Sequence, residues 1–225
     1  MVSLPDPAPL IDLTLLKADT TEAQIRRLCE EAVEYGFASV CIPPAFVTLA
    51  SDLLYGSEVK TGTVAGFPLG YVPSRVKAFE TAEAVGRGAE EVDMVIHVGD
   101  ALAGRFDAVT RDIREVVEAS GDAAVKVIIE CCYLDDETKR RAAEAVVAAG
   151  ADYVKTSTGF GPGGATVEDV RLLAETADDR VGVKAAGGIR DWEFCRKLIE
   201  AGATRIGASA GGAIVEGWKR AEFGE

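Results

Sequence analysis

The sequence predicts an α/β fold, a single (β/α)8 TIM barrel spanning residues 1–225. Three observations carry the prediction. Short β-rich runs alternate with longer amphipathic stretches along the chain, and strands separated by helices pair in parallel through crossover connections. Eight such runs can be counted, which selects the closed barrel over an open doubly wound sheet. The chain has 225 residues and 48% hydrophobic content, enough for one core of that size and no more.

The strands are read at residues 10–12, 39–42, 61–65, 92–96, 125–130, 153–156, 181–185 and 204–206. Between the first two, Asp19-Thr20-Thr21-Glu22 supplies capping residues for a helix over 23–35, and Gly36 ends it. Pro73-Ser74-Arg75 opens a helix that reaches about Val85. Residues 106–119 place Phe106, Val109, Ile113, Val116 and Val117 on one helical face. Asp135-Asp136-Glu137 begins a helix that runs to Ala149, before Gly150. Thr166-Val167-Glu168-Asp169 has the pattern of a capping box, and Asp191 precedes a helix over 192–201, before Gly202. No linker of domain length, internal repeat or low-complexity tract interrupts the pattern. The Gly-rich segment 159–165 follows the sixth strand directly and reads as a functional loop.

Chemistry enters with two lysines. Tyr153-Val154-Lys155-Thr156 is a β-type run with a lysine inside it, opening onto Ser157-Thr158-Gly159. Val181-Gly182-Val183-Lys184-Ala185-Ala186-Gly187-Gly188 repeats that context one strand later. Burying an ammonium is costly, so such a lysine either pairs with a carboxylate or gives up its proton and becomes an amine nucleophile. Two lysines on neighbouring strands also repel each other's charge, which suits imine chemistry on a carbonyl. Asp93, in the fourth strand, is placed to face them across the same rim and to relay a proton. On spacing alone, a purely structural Lys–Asp–Lys ion network remains the alternative.

Composition excludes several classes. Lys and Arg total 24 against 37 Asp and Glu, a net charge of −13, which argues against nucleic acid or an anionic membrane as partner. A small phosphorylated ligand needs only a local anion site and is not excluded. The acidic balance fits a soluble acidic enzyme or adaptation to high salt. No apolar run of membrane-spanning length exists, and Met1-Val2-Ser3-Leu4-Pro5-Asp6-Pro7 lacks the basic and apolar regions of a signal peptide, so a cytoplasmic protein is expected. The five cysteines (Cys29, Cys41, Cys131, Cys132 and Cys195) form no CxxC, and there is one histidine, His97. Neither a disulfide framework nor a metal site is expected, and most of the thiols read as buried small apolar residues.

The run Val154-Lys155-Thr156-Ser157-Thr158-Gly159-Phe160 resembles the Schiff-base lysine motif of the deoxyribose-phosphate aldolase family. Five further stretches resemble the family's motifs, in the family's order: Ile11-Asp12-Leu13-Thr14-Leu15-Leu16-Lys17, Ser39-Val40-Cys41, Gly66-Phe67-Pro68-Leu69-Gly70, Glu91-Val92-Asp93-Met94-Val95-Ile96 and Lys184-Ala185-Ala186-Gly187-Gly188-Ile189-Arg190. The resemblance implies a class I aldolase with no metal or organic cofactor. Such an enzyme reversibly cleaves 2-deoxy-D-ribose 5-phosphate to D-glyceraldehyde 3-phosphate and acetaldehyde. It implies that Lys155 forms the imine and that Asp93 and Lys184 transfer protons. It places Asp12, Cys41 and Thr158 near the substrate and implies a homo-oligomer, dimer or tetramer. Four positions depart from the family pattern: Leu13 for the usual His, Pro43 for Asn, His97 for Asn and Ala186 for Ser. Leu13 and Ala186 are expected to reduce polar contacts near the site, and His97 to be non-catalytic.

Gly187-Gly188-Ile189 follows the seventh strand, and Gly207-Ala208-Ser209-Ala210-Gly211-Gly212 the eighth. Barrels often bind phosphate with these two loops and a helix N-terminus, so Gly187, Gly188, Gly207 and Ser209 are candidate phosphate contacts. Ordinary tight turns are the alternative. Two other functions stay open beside the aldolase: a phospho-sugar isomerase or synthase working without a covalent intermediate, and a non-catalytic metabolite-binding barrel.

Overall fold

A computed structural model of the protein describes residues 6–224; the N-terminal stretch read above as no signal peptide lies largely outside them. The chain forms a closed eight-stranded parallel barrel in strict sequence order, wrapped by helices. The strands are β1 (Ile11–Thr14), β2 (Ser39–Cys41), β3 (Lys60–Ala65), β4 (Glu91–Val95), β5 (Ala124–Ile128), β6 (Tyr153–Lys155), β7 (Gly182–Ala186) and β8 (Arg205–Ala208). The ring closes where β1 pairs with β8, Asp12 lying opposite Gly207.

Nine helices surround the strands among the described residues: α1 (Glu22–Tyr35), α2 (Val47–Leu54), α3 (Ser74–Gly86), α4 (Val98–Leu102), α5 (Phe106–Ser120), α6 (Asp136–Ala149), α7 (Val167–Ala177), α8 (Trp192–Glu200) and α9 (Gly211–Phe223). None is long and apolar enough to cross a membrane. The caps are chemical. Gln24 reaches back to the Thr21 N–H at 2.8 Å to open α1. Asp135, Thr166 and Asp191 accept from backbone N–H groups in the first turns of α6, α7 and α8. Gly36 and Gly150 end α1 and α6 at positive φ, where a Cβ would be strained.

All eight predicted strands are present, with ends shifted by at most two residues. The fifth was expected to run to Glu130, but the chain leaves the ladder after Ile128 and Glu130 adopts a left-handed conformation, φ 54°. The first was expected to start at Leu10, which instead closes a 3-10 turn. Helices α2, α4 and α9 were not anticipated.

Strand alternation sorts side chains between two environments. Outward residues such as Ile11, Leu13, Val40, Val92, Met94, Val127, Val154, Val183 and Ile206 are buried under the helices and form one continuous apolar layer. Leu13 belongs to this layer. It packs with Phe37 where Gly211 lets α9 approach, so it faces away from the barrel interior and removes no polar contact there. The inward face carries charge.

Candidate active site

Register brings the predicted residues together. Lys155 on β6 lies directly opposite Lys184 on β7, and Asp93 on β4 lies opposite Lys126 on β5. Asp93 is in the interior rather than on the rim, 1% exposed. Its carboxylate accepts from Lys155 at 2.6 Å, Lys184 at 2.7 Å and Lys126 at 3.0 Å. Lys184 also donates to Asp12, which takes a second bond from Arg205 at 2.7 Å. Lys126 and Arg205 are both anchored on Glu91, at 2.6 and 3.1 Å. The Arg205 guanidinium lies over the Tyr153 ring, 5.3 Å from its centroid.

Glycines make room for this packing. A Cβ on Gly207 would sit 3.1 Å from the Lys184 side chain, and one on Gly182 would lie 2.4 Å from the Tyr153 ring. Gly207, expected as a phosphate contact, thus also clears space for the lysine beneath it.

Four cations (Lys126, Lys155, Lys184 and Arg205) are joined here to three carboxylates (Asp12, Glu91 and Asp93). Buried ions cost on the order of several kcal/mol each unless paired, so the balanced state is the one in which a single lysine is neutral. Lys155 is the lysine of the three whose positive charge is disfavoured. Burial pushes its ammonium below the ordinary lysine range and Lys184 adds repulsion, which together outweigh the attraction of Asp93. Lys184 and Lys126 go the other way. Burial opposes their charge, but Asp12 and Asp93 hold Lys184 above the ordinary range, and Asp93, Asp12 and Glu91 do the same for Lys126. Asp12 and Asp93 stay ionised: burial would raise both, and the surrounding cations hold them well below the carboxylate range.

Above the network opens a cavity of about 400 Å3. Lys155 forms its floor, and Thr158, Ala186, Gly187, Gly188, Gly207 and Ser209 are on its wall. Gly187 and Gly188 have φ of 92° and 81°, a backbone conformation that is free of strain only without a Cβ. Lys17 and Arg190 also line it, two basic groups that the Gly-rich pattern did not point to. Asp12 and Cys41 are not on the wall. Asp12 is fully buried behind Lys184, and the Cys41 thiol, 2% exposed, is pushed up to about 11 by burial and by Asp93, so it is protonated and inert. His97 caps α4, its Nδ1 accepting from the Asp100 N–H at 3.1 Å.

Lys126, Glu91 and Arg205 were missed from sequence. Val125-Lys126-Val127 carried the same signal as Val154-Lys155-Thr156: a charge between β-branched residues of a strand.

An amine whose positive charge is disfavoured, beneath a cavity with a glycine-rich wall, is equipped to attack a carbonyl. Known proteins agree. The chain is 59% identical over 211 residues to a deoxyribose-phosphate aldolase of Geobacillus sp. strain WCH70, covering 93% of this chain and 95% of the relative. A deoxyribose-phosphate aldolase of Syntrophotalea carbinolica is 55% identical over 215 residues, 96% of this chain and 97% of that one. The tetrameric deoxyribose phosphate aldolase structure from Aeropyrum pernix superposes with a TM-score of 0.88 at 38% identity, covering 94% of this chain and 90% of that one. The sequence profile of the DeoC/LacD family aldolases matches residues 8–217, so the chain belongs to the DeoC/LacD family of aldolases.

Proposed function

We propose that the protein is a class I aldolase that reversibly cleaves 2-deoxy-D-ribose 5-phosphate to D-glyceraldehyde 3-phosphate and acetaldehyde. The observation that carries the reading is the depressed ammonium of Lys155 at the cavity floor, beside Lys184 and Asp93 whose charges are kept. The neutral Lys155 amine attacks the aldehyde carbon of the open-chain sugar, and loss of water gives an iminium. Removal of the C3 hydroxyl proton breaks the C2–C3 bond, and the electron pair moves into the iminium to form an enamine. Asp93 and Lys184 exchange protons with the intermediates, directly or through water, and Asp12 orients Lys184. Protonation of the enamine and hydrolysis release acetaldehyde and restore the amine. The chemistry calls for no metal or organic cofactor.

The phosphate is assigned to the backbone of Gly187, Gly188 and Gly207 and the hydroxyl of Ser209, with Lys17 and Arg190 adding positive charge. Binding energy there places the sugar carbonyl against Lys155. Thr158 contacts the sugar from the wall. Residues 1–225 are read as one catalytic unit, working in the cytoplasm as a homo-oligomer. The Aeropyrum pernix relative, described as a tetramer, supports the last point. Neither nucleic acid nor membrane is a partner on this reading, in keeping with the charge of −13.

A non-covalent isomerase or synthase on the same barrel is the rival, and covalent trapping separates the two. Borohydride reduction in the presence of acetaldehyde is expected to leave an ethyl group on the peptide containing Lys155, read by mass spectrometry. An adduct confined to Lys184, or none, removes the Lys155 assignment.

A further inference from the structure

Glu130 has no place in the chemistry just described, yet it is held in an unusual way. It is 3% exposed, and its backbone is left-handed, φ 54°, a conformation that a residue with a Cβ rarely adopts without support from its surroundings. Both carboxylate oxygens serve one residue of the next strand's loop. Oε1 accepts from the Thr158 backbone N–H at 3.1 Å, and Oε2 accepts from the Thr158 hydroxyl. Thr158 Oγ1 in turn accepts from the Phe160 N–H at 3.0 Å.

A threonine hydroxyl has one hydrogen and two lone pairs. Here the hydrogen goes to Glu130 and one lone pair to Phe160, so one lone pair remains. Thr158 stands on the wall of the cavity whose floor is Lys155. Glu130 is not part of that wall; it lines a second cavity with Pro68, Leu69, Val98, Leu102, Tyr133 and Phe160, and Thr158 stands between the two, bordering both. The carboxylate therefore fixes the polarity of the hydroxyl from behind. A hydroxyl that donates to a carboxylate is also a stronger acceptor at its own oxygen.

We propose that Glu130 is a positioning residue for the aldol reaction. It turns the Thr158 hydroxyl so that only an acceptor faces the cavity, to receive the hydrogen of a hydroxyl group on the open-chain phosphorylated sugar. The inference rests on the reading of Lys155 as the imine lysine, and it adds no covalent step.

Glu130→Gln tests it with almost no change of shape. The Thr158 N–H still needs the amide oxygen, so the amide NH2 must face Thr158 Oγ1. That forces the hydroxyl to accept from behind and to swing its hydrogen into the cavity. The expected result is a fall in kcat/KM of at least about tenfold, with melting temperature and borohydride trapping on Lys155 preserved. Thr158→Val, which removes the acceptor, is expected to lose a similar factor, and Thr158→Ser to retain most of the activity. The double variant Glu130→Gln/Thr158→Val is expected to be no worse than Thr158→Val, because the two residues act as one unit. Full turnover in Glu130→Gln, or losses that multiply in the double variant, would overturn the proposal. So would full turnover in Thr158→Val, should the glutamine variant fail to fold. Failure of the parent protein to trap at Lys155 is a separate outcome and removes the imine reading instead.

Discussion

The two faces of the barrel wall are equally buried and chemically opposite. In β6, Val154 and Lys155 are neighbours, 0% and 3% exposed. The same pairing recurs in Val183 with Lys184, Val125 with Lys126, Val92 with Asp93 and Ile11 with Asp12. The outward member packs under helices and contributes by leaving water, about 1.5–3 kcal/mol for a fully buried aliphatic side chain. The inward member is stabilising only through its partners, since an ion without one is expensive to bury. Burial therefore does not separate structure from chemistry in this protein; the side of the strand does.

Breaking the inward face is expected to have the largest effect. Lys184→Leu removes a cation beside Lys155 and frees Asp93 for it, so the Lys155 ammonium becomes easier to keep. Because the neutral amine is the reactive form, the acidic limb of the pH–rate profile moves to higher pH, and the rate drops by about 10²–10⁴ through loss of proton transfer. Burial is the larger cause of the depressed Lys155 value, so the limb stops short of the free-lysine value of about 10.4. A limb that does not move would mean burial alone sets the amine. The outward face is broken by Met94→Ala, next to Asp93 in sequence and 0% exposed. Here about 2–5 kcal/mol of stability is expected to be lost in denaturant unfolding, with kcat unchanged in the folded fraction. A fall in kcat without a fall in stability would erase the distinction between the faces. The smallest effect belongs to His97, which is on neither face. His97→Ala is expected to cost under about 1 kcal/mol through the lost α4 cap and to leave turnover as it was. A rate loss of about tenfold or more would place His97 in the reaction after all.

The barrel was legible because each strand and helix announces itself locally: β-branched runs, capping residues, glycines after helices. Helix α2 was missed because it opens with Val47-Thr48 behind Pro43-Pro44, which mark a loop, and α9 because it opens with Gly211-Gly212. Lys155, Lys184 and Asp93 were legible as charges inside β-type runs. Lys126 showed that same signal and was passed over, having no loop of small residues after it. Arg205, in the middle of the strand read at 204–206, was passed over in the same way, and Glu91, one residue before a predicted strand, gave a weaker signal. Glu130 was out of reach for a physical reason: its role depends on a left-handed turn that ends β5, whereas a regular strand continued through it would have given its side chain a different direction.

The lumen's three carboxylates have one further consequence. They match the cations only while Lys155 is neutral. If the imine forms there, as proposed, and is protonated, positive charge returns to a nitrogen for which the surrounding ions supply no spare anion. Asp93 is shared among Lys155, Lys184 and Lys126 and offsets that charge only in part, and the remaining cost is relieved when the electrons of the breaking carbon–carbon bond flow onto that nitrogen to give a neutral enamine. A fourth acidic side chain in the lumen would make the resting protein more comfortable and the iminium a poorer electron sink. On the proposed mechanism, the shortage of one negative charge adds to the barrel's pull on the substrate's electrons.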